Sequence, residues 1–126
     1  MRAVDANVLV RLITRDDLRQ VSAAETFIAK GAWVSMLALA ETTWVLTTVY
    51  GLKSNDVATA IELLLNHTDL TLQDPETVAA ALTLFRAKPA LGFSDCLILQ
   101  SARKAGHLPL GTFDRNLAKV GGTQKL

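Results

Sequence analysis

Four acidic residues fall where a carboxylate is hard to explain by solubility alone. Asp5 closes the short apolar run Ala3-Val4, and Asp114 follows the run Gly111-Thr112-Phe113. Glu41 lies inside Met36-Leu37-Ala38-Leu39-Ala40-Glu41-Thr42-Thr43-Trp44-Val45-Leu46, with no other charge between Lys30 and Lys53. Asp95 lies in Gly92-Phe93-Ser94-Asp95-Cys96-Leu97-Ile98-Leu99. A carboxylate in apolar company is costly unless it is exposed, paired or bound to a cation. Four of them in one cleft would repel each other and raise each other's pKa, and a hard divalent cation removes that cost. Oxygen-only ligation, with no Cys or His at ligand spacing, favours Mg²⁺ or Mn²⁺ over zinc. His67 and His107 are far apart and are read as surface or loop residues. The single cysteine, Cys96, is read as a small buried hydrophobe.

Taken one at a time, the acids divide. Asp5 precedes the helical pattern Ala6-Asn7-Val8-Leu9-Val10, so helix cap and chemical site are equal readings, with Asn7 available to cap in its place. Asp95 near a helix N-terminus gains from the helix dipole, which strengthens a structural reading. Asp114 is a candidate cap as well. Glu41 fits a solvated helix position, because Glu forms helices readily, but its isolation from other charge tilts it toward function.

The elements that must position these residues alternate between two periods. Ala3-Val4, Ala32-Trp33-Val34-Ser35, Leu70-Thr71-Leu72 and Leu108-Pro109-Leu110-Gly111-Thr112 read as strands. Helical patterns run over 6–13, then from about Asp16-Asp17 with Val21, Ala24, Phe27 and Ile28 on one face, and over 38–50, closing at Gly51. Further helices span 57–65 behind Ser54-Asn55-Asp56, 75–85 behind Pro75, and 94–104 ahead of Gly106. The tail 121–126 is either a short last strand or a loose end. Strands separated by helices imply β-α-β crossovers and a parallel sheet covered on both faces. The expected fold class is therefore α/β, a three-layer α/β/α arrangement with a central parallel sheet of four to five strands. Such sheets gather ligands beyond the carboxyl ends of their strands, where all four acids are expected to face one cleft.

The 126 residues, half apolar and one fifth charged, fit one globular domain spanning 1–126. No apolar run is long enough to cross a bilayer, and Asp5 interrupts the place where a leader needs its apolar stretch. A cytoplasmic location is expected. The net charge of +1 demands no polyanionic partner. Setting aside four of the 12 acids, however, leaves eight against 13 basic residues, a balance of +5. Arg11, Arg86 and Arg115 are the leading candidates for phosphate contact, with Arg15, Arg19, Lys88 and Lys119 behind them. For each alone, solvated surface is the better reading. Trp33, Trp44 and Phe93 are expected in a core or a subunit interface rather than as stacking platforms for bases.

Taken in order, these segments resemble those of PIN-domain proteins. Met1-Arg2-Ala3-Val4-Asp5-Ala6-Asn7-Val8-Leu9-Val10-Arg11 resembles the family's opening strand with Asp and Asn two apart. Ala40-Glu41 ahead of Trp44-Val45-Leu46, Ser94-Asp95 in Gly-Phe-Ser-Asp, and Thr112-Phe113-Asp114 are similar to its other three acidic motifs. A lone compact chain of this kind resembles the VapC-type toxins of toxin–antitoxin pairs. The resemblance implies a metal-dependent ribonuclease that uses Mg²⁺, with Mn²⁺ as the alternative, and leaves 5′-phosphate and 3′-hydroxyl ends. It also implies a homodimer and a cognate antitoxin that blocks the cleft. Asp5, Glu41, Asp95 and Asp114 become the catalytic, metal-binding quartet, with Asn7, Ser94 and Thr112 as hydrogen-bonding supports. Asp5 and Asp95 are placed as primary ligands, while Glu41 and Asp114 complete the pocket and one of them orients or deprotonates the attacking water. Asn116 stands where some PIN domains carry a further acid, which bears on a second metal but not on the first.

Two other acid-based readings fit less well. A non-catalytic, receiver-like Mg²⁺-binding domain expects paired acids at the first strand end and a lysine after the last strand. A haloacid-dehalogenase-like phosphatase expects a second Asp where Asn7 stands. A histidine-based ribonuclease lacks a visible partner for either His67 or His107.

Overall fold

The computed structural model describes all 126 residues, Met1–Leu126. They form two compact units, Met1–Pro75 and Glu76–Leu126.

The first unit runs β1 (Arg2–Ala3), α1 (Ala6–Thr14), α2 (Leu18–Ile28), β2 (Ala32–Val34), α3 (Met36–Thr48), α4 (Ser54–Asn66) and β3 (Leu70–Leu72). Its strands pair in parallel in the order β1-β2-β3, with Ala3 opposite Trp33 and Trp33 opposite Thr71. Parallel neighbours need a crossover, and each is supplied by two helices. Alternation along β2 and β3 sends Ala32, Val34, Leu70 and Leu72 into the core, which Leu9, Ile28, Leu39, Leu46 and Ile61 fill with almost no exposed surface. Each such side chain contributes about 1.5–3 kcal/mol by leaving water. The residues alternating with them, Ala3, Trp33 and Thr71, are exposed.

The register aligns the carboxyl ends of β1, β2 and β3. Asp5 follows β1 directly, α3 starts two residues after β2, and Gln73 follows β3. The Gln73 amide donates to the Val34 carbonyl at 2.8 Å, and its side-chain Oε1 accepts from the Met36 amide at 2.9 Å. This fixes the start of α3, whose N-cap is Ser35, accepting from Ala38 at 3.0 Å.

The second unit holds α5 (Pro75–Ala87), α6 (Phe93–Ala105), β4 (Leu110–Thr112), a 3₁₀ turn (Leu117–Lys119) and β5 (Thr123–Lys125). Val78, Ala81, Cys96 and Leu99 are fully buried, and the Phe85 and Phe93 rings meet edge to face at 5.9 Å. Gly106 ends α6 with φ +82°, the left-handed conformation that costs glycine least. The tail is a strand, β5, paired in parallel with β4. Hydrogen bonding thus groups the strands as a parallel set of three, β1-β2-β3, in the first unit and a parallel pair, β4-β5, in the second.

Several boundaries differ from the expected ones. The α4 helix begins at Ser54, so Ser54-Asn55-Asp56 is its first turn rather than its cap, and Lys53 at the N-cap makes no side-chain bond. Asp56 there still opposes the positive end of the helix dipole.

Candidate active site

Asp5 is the N-cap of α1, and its Oδ1 accepts from the Val8 amide at 3.2 Å. Asn7 does not replace it, because it already lies within the helix. The second Asp5 oxygen, Oδ2, has no protein partner, and the residue is exposed. Cap and available charge therefore coexist on one side chain. Asp5 and Asn7 border a cavity of about 430 Å³ between α1 and α2, also lined by Val8, Arg11, Gln20 and Phe27.

Arg11 is not a free cation. Its guanidinium bonds to Gln20, to Asp16 at 3.2 Å and to the Tyr50 hydroxyl at 2.8 Å, and that hydroxyl donates to Asp16 at 2.9 Å. Thr14 also donates to Asp16, at 2.8 Å. Its hydroxyl and that of Tyr50 hold the Asp16 carboxyl below the usual carboxylate range, while the Tyr50 bond raises Arg11. This network ties α1 to α2 and to the end of α3. Neither Tyr50 nor Gln73 stood out in the sequence, since a lone Tyr after a helix and a lone Gln after a strand carry no spacing signal.

Glu41 lies in the second turn of α3, which packs against α1. It is exposed and shares its stripe with Leu37, 79% exposed, and Trp44, 62% exposed. Exposure answers the energetic objection to a carboxylate in that apolar segment. Thr42 and Thr43, by contrast, are buried and return their hydroxyls to the Ala38 and Ala40 carbonyls. The expectation that Trp33, Trp44 and Phe93 are core or interface residues divides likewise. Phe93 is core at 3% exposure, whereas Trp33 and Trp44 reach solvent.

In the second unit the acids are electrostatically paired. Asp95 lies half-buried in the first turn of α6, and burial followed by the nearby charge of Asp114 raises its pKa above the ordinary carboxylate value. Asp114 caps the 3₁₀ turn, its Oδ1 accepting from Asn116 at 2.8 Å and Leu117 at 2.9 Å. Its own amide donates to the Thr112 hydroxyl at 3.0 Å, while its Oδ2 makes no protein bond. Ser94 is half-buried and makes no side-chain hydrogen bond. Burial, and then Asp95, push the Cys96 thiol up to about 11, so it stays protonated and unreactive at neutral pH.

Of the remaining cations, Arg86 is in the last turn of α5, Arg115 is exposed beside Asp114, and Arg15 pairs with Glu25 at 3.5 Å. His67 Nδ1 accepts from the Asp69 amide at 3.1 Å, a structural use, and His107 is exposed after α6. Neither unit assembles three or more His, Cys, Asp or Glu side chains as a group able to hold a metal.

The PIN-domain family model matches residues 2–123, which include all four acids and all but the terminal residues of the two units. The chain belongs to the PIN-domain family. PIN domains are nuclease-type domains that generally use divalent metal ions, and the α/β/α fold expected of this one is the family's. No curated protein matches the chain. Within each unit taken by itself the oxygen donors suit a hard cation: Asp5 keeps one oxygen unbonded in the first, while in the second Asp114 keeps one and Asp95 carries a charge that burial and a neighbouring carboxylate disfavour. No helix of this PIN domain is long and apolar enough to cross a membrane.

Proposed function

We propose that this PIN domain is a Mg²⁺-dependent ribonuclease whose metal-binding carboxylates are Asp5, Glu41, Asp95 and Asp114. The observation that carries the reading is the half-buried Asp95, whose charge is disfavoured by burial and then by the nearby Asp114 carboxylate, in a nuclease-type chain. A divalent cation held there supplies positive charge against phosphoryl oxygens and lowers the pKa of water. Asp5 and Asp114 are held in place by the amides they cap, so they reach a ligand without first losing side-chain freedom. Glu41, exposed on α3, is free to orient or accept a proton from an attacking water. Thr112 holds the Asp114 backbone, and Asn7 borders the cavity beside Asp5.

The order of motifs supports a VapC-type toxin acting in the cytoplasm and held inactive by an antitoxin protein. The apolar stripe of Leu37 and Trp44 on α3 gives a protein partner, whether antitoxin or second copy, something to cover.

The test is cleavage of RNA with Mg²⁺, with Mn²⁺ and with EDTA, by the natural chain and by Asp5→Ala and Asp95→Ala. Cleavage should need the metal and should fail in both variants. Cleavage in EDTA, or full activity in both variants, refutes the assignment. Growth arrest on expression, relieved by a co-expressed partner, tests the toxin role separately.

A further inference from the structure

The second unit contains a cavity that the acidic residues do not line. Lys88, Pro89, Ala90 and Leu91, between α5 and α6, line an open surface pocket of about 240 Å³ together with Asn116 and Lys119, all of them exposed except Leu91. That is well above the ~30 Å³ occupied by a water molecule in the liquid. Lys88 and Lys119 are 31 positions apart in sequence, yet both border this space, and neither makes a salt bridge. No carboxylate lines it. The Asn116 side chain makes no hydrogen bond within the chain and supplies a neutral donor. Leu91, 4% exposed, anchors the apolar side, which Pro89 and Ala90 continue. Two ammonium groups and an amide against an apolar wall are suited to a phosphate oxyanion with its ester carbon attached. A purely apolar ligand would leave the polar part of that lining unused.

The cavity is also joined to the acid pair. Asn116 lies two residues after Asp114, and its amide donates to the Asp114 carboxylate at 2.8 Å. The turn that presents Asn116 to the cavity is therefore the turn that Asp114 itself caps.

We infer that this cavity seats a phosphate of the RNA strand other than the one cleaved, held by Lys88, Lys119 and Asn116. The inference rests on the ribonuclease reading for the source of the phosphate, but not for the phosphate chemistry itself. Lys88 and Lys119 were among seven basic residues that the sequence offered, ranked behind Arg11, Arg86 and Arg115, and only the fold places them around one space.

Two measurements decide it. In the first, inorganic phosphate is titrated into the ¹⁵N-labelled chain, and shifts should concentrate at Lys88, Leu91, Asn116 and Lys119. In the second, a fluorescent single-stranded RNA is bound in EDTA over a range of salt. Lys88→Ala/Lys119→Ala should bind about tenfold more weakly at low salt, with the logarithmic salt slope reduced by about 0.7 for the phosphate no longer neutralised. Lys88→Arg/Lys119→Arg should retain the slope. Lys30→Ala/Lys53→Ala, an equal loss of charge outside the cavity, should leave the slope unchanged. Absence of phosphate shifts at the cavity overturns the site. Phosphate shifts without any selective change in RNA binding overturn the RNA assignment in favour of a free phosphate. Shifts and slope change together in a chain that cleaves no RNA uphold the subsite and defeat the nuclease reading instead.

Discussion

At Asp5 one carboxylate oxygen is committed to the Val8 amide and the other is unbonded, so cap and charge are separable by substitution. Asn caps as well as Asp. Asp5→Asn should therefore keep the urea midpoint within about 0.5 kcal/mol of the natural chain, whereas Asp5→Ala should cost about 1 kcal/mol. Both should reduce metal-dependent cleavage about 100-fold or more, since even outer-shell partners of a metal are worth 10–100-fold. Equal stability losses in the two variants would show that the charge, not the cap, supports the fold. Asp95 makes a prediction of opposite sign. Burial and Asp114 raise its folded pKa, so the fold disfavours its ionised form. That penalty is absent below the ordinary carboxylate range, where folded and unfolded chains are both protonated, and is complete above the raised pKa. Asp95→Asn should accordingly raise the thermal midpoint at pH 7 in EDTA, with the two curves converging as the pH falls through that range. Differential scanning calorimetry across pH checks this.

Among the elements, α1 carries the first acid and α3 the second, and the polar network at their far ends joins them through α2. Tyr50→Phe removes one hydroxyl that both accepts from Arg11 and donates to Asp16. The variant should melt at lower temperature than the natural chain at neutral pH. Because Asp16 is held below its ordinary pKa, its contribution is present above the unfolded value and is lost as the pH falls through the folded one. The gap between the variant and the natural chain should therefore close in acid, and a gap independent of pH would place the effect in packing instead. The helix patterns of α1, α2, α5 and α6 were legible because their apolar residues recur on one face and their ends carry Asp17, Pro75 and Gly106. The start of α4 was not, because Ser54-Asn55-Asp56 has capping chemistry but Lys53 occupies the cap. Ser and Asn favour the cap over the first turn, so their chemistry pointed past the observed start at Ser54.

For the molecule as a whole, metal binding and folding are linked. A cation that binds only the folded chain stabilises it by about 2.7 kcal/mol at 100 times its dissociation constant. At about 4 °C per kcal/mol for a chain of this size, Mg²⁺ should raise the thermal midpoint by about 10 °C. The rise should disappear in Asp5→Asn and Asp95→Asn. Stabilisation that persists in both variants would place the cation elsewhere.

The sequence by itself determined the alternation of strands and helices, the four acids and their order along the chain, and through them the family. These are local properties, fixed by side-chain period, capping chemistry and residue type. It also marked Cys96 as a small buried hydrophobe, and the structure buries it fully. Only the tertiary structure decided that Arg11 is spent on Asp16 and Tyr50, that Glu41 and Trp44 meet solvent, and that β4 pairs with β5. It alone placed Lys88 and Lys119 around one cavity. Exposure and partnership depend on which distant segment a side chain faces, and no period along the chain encodes that.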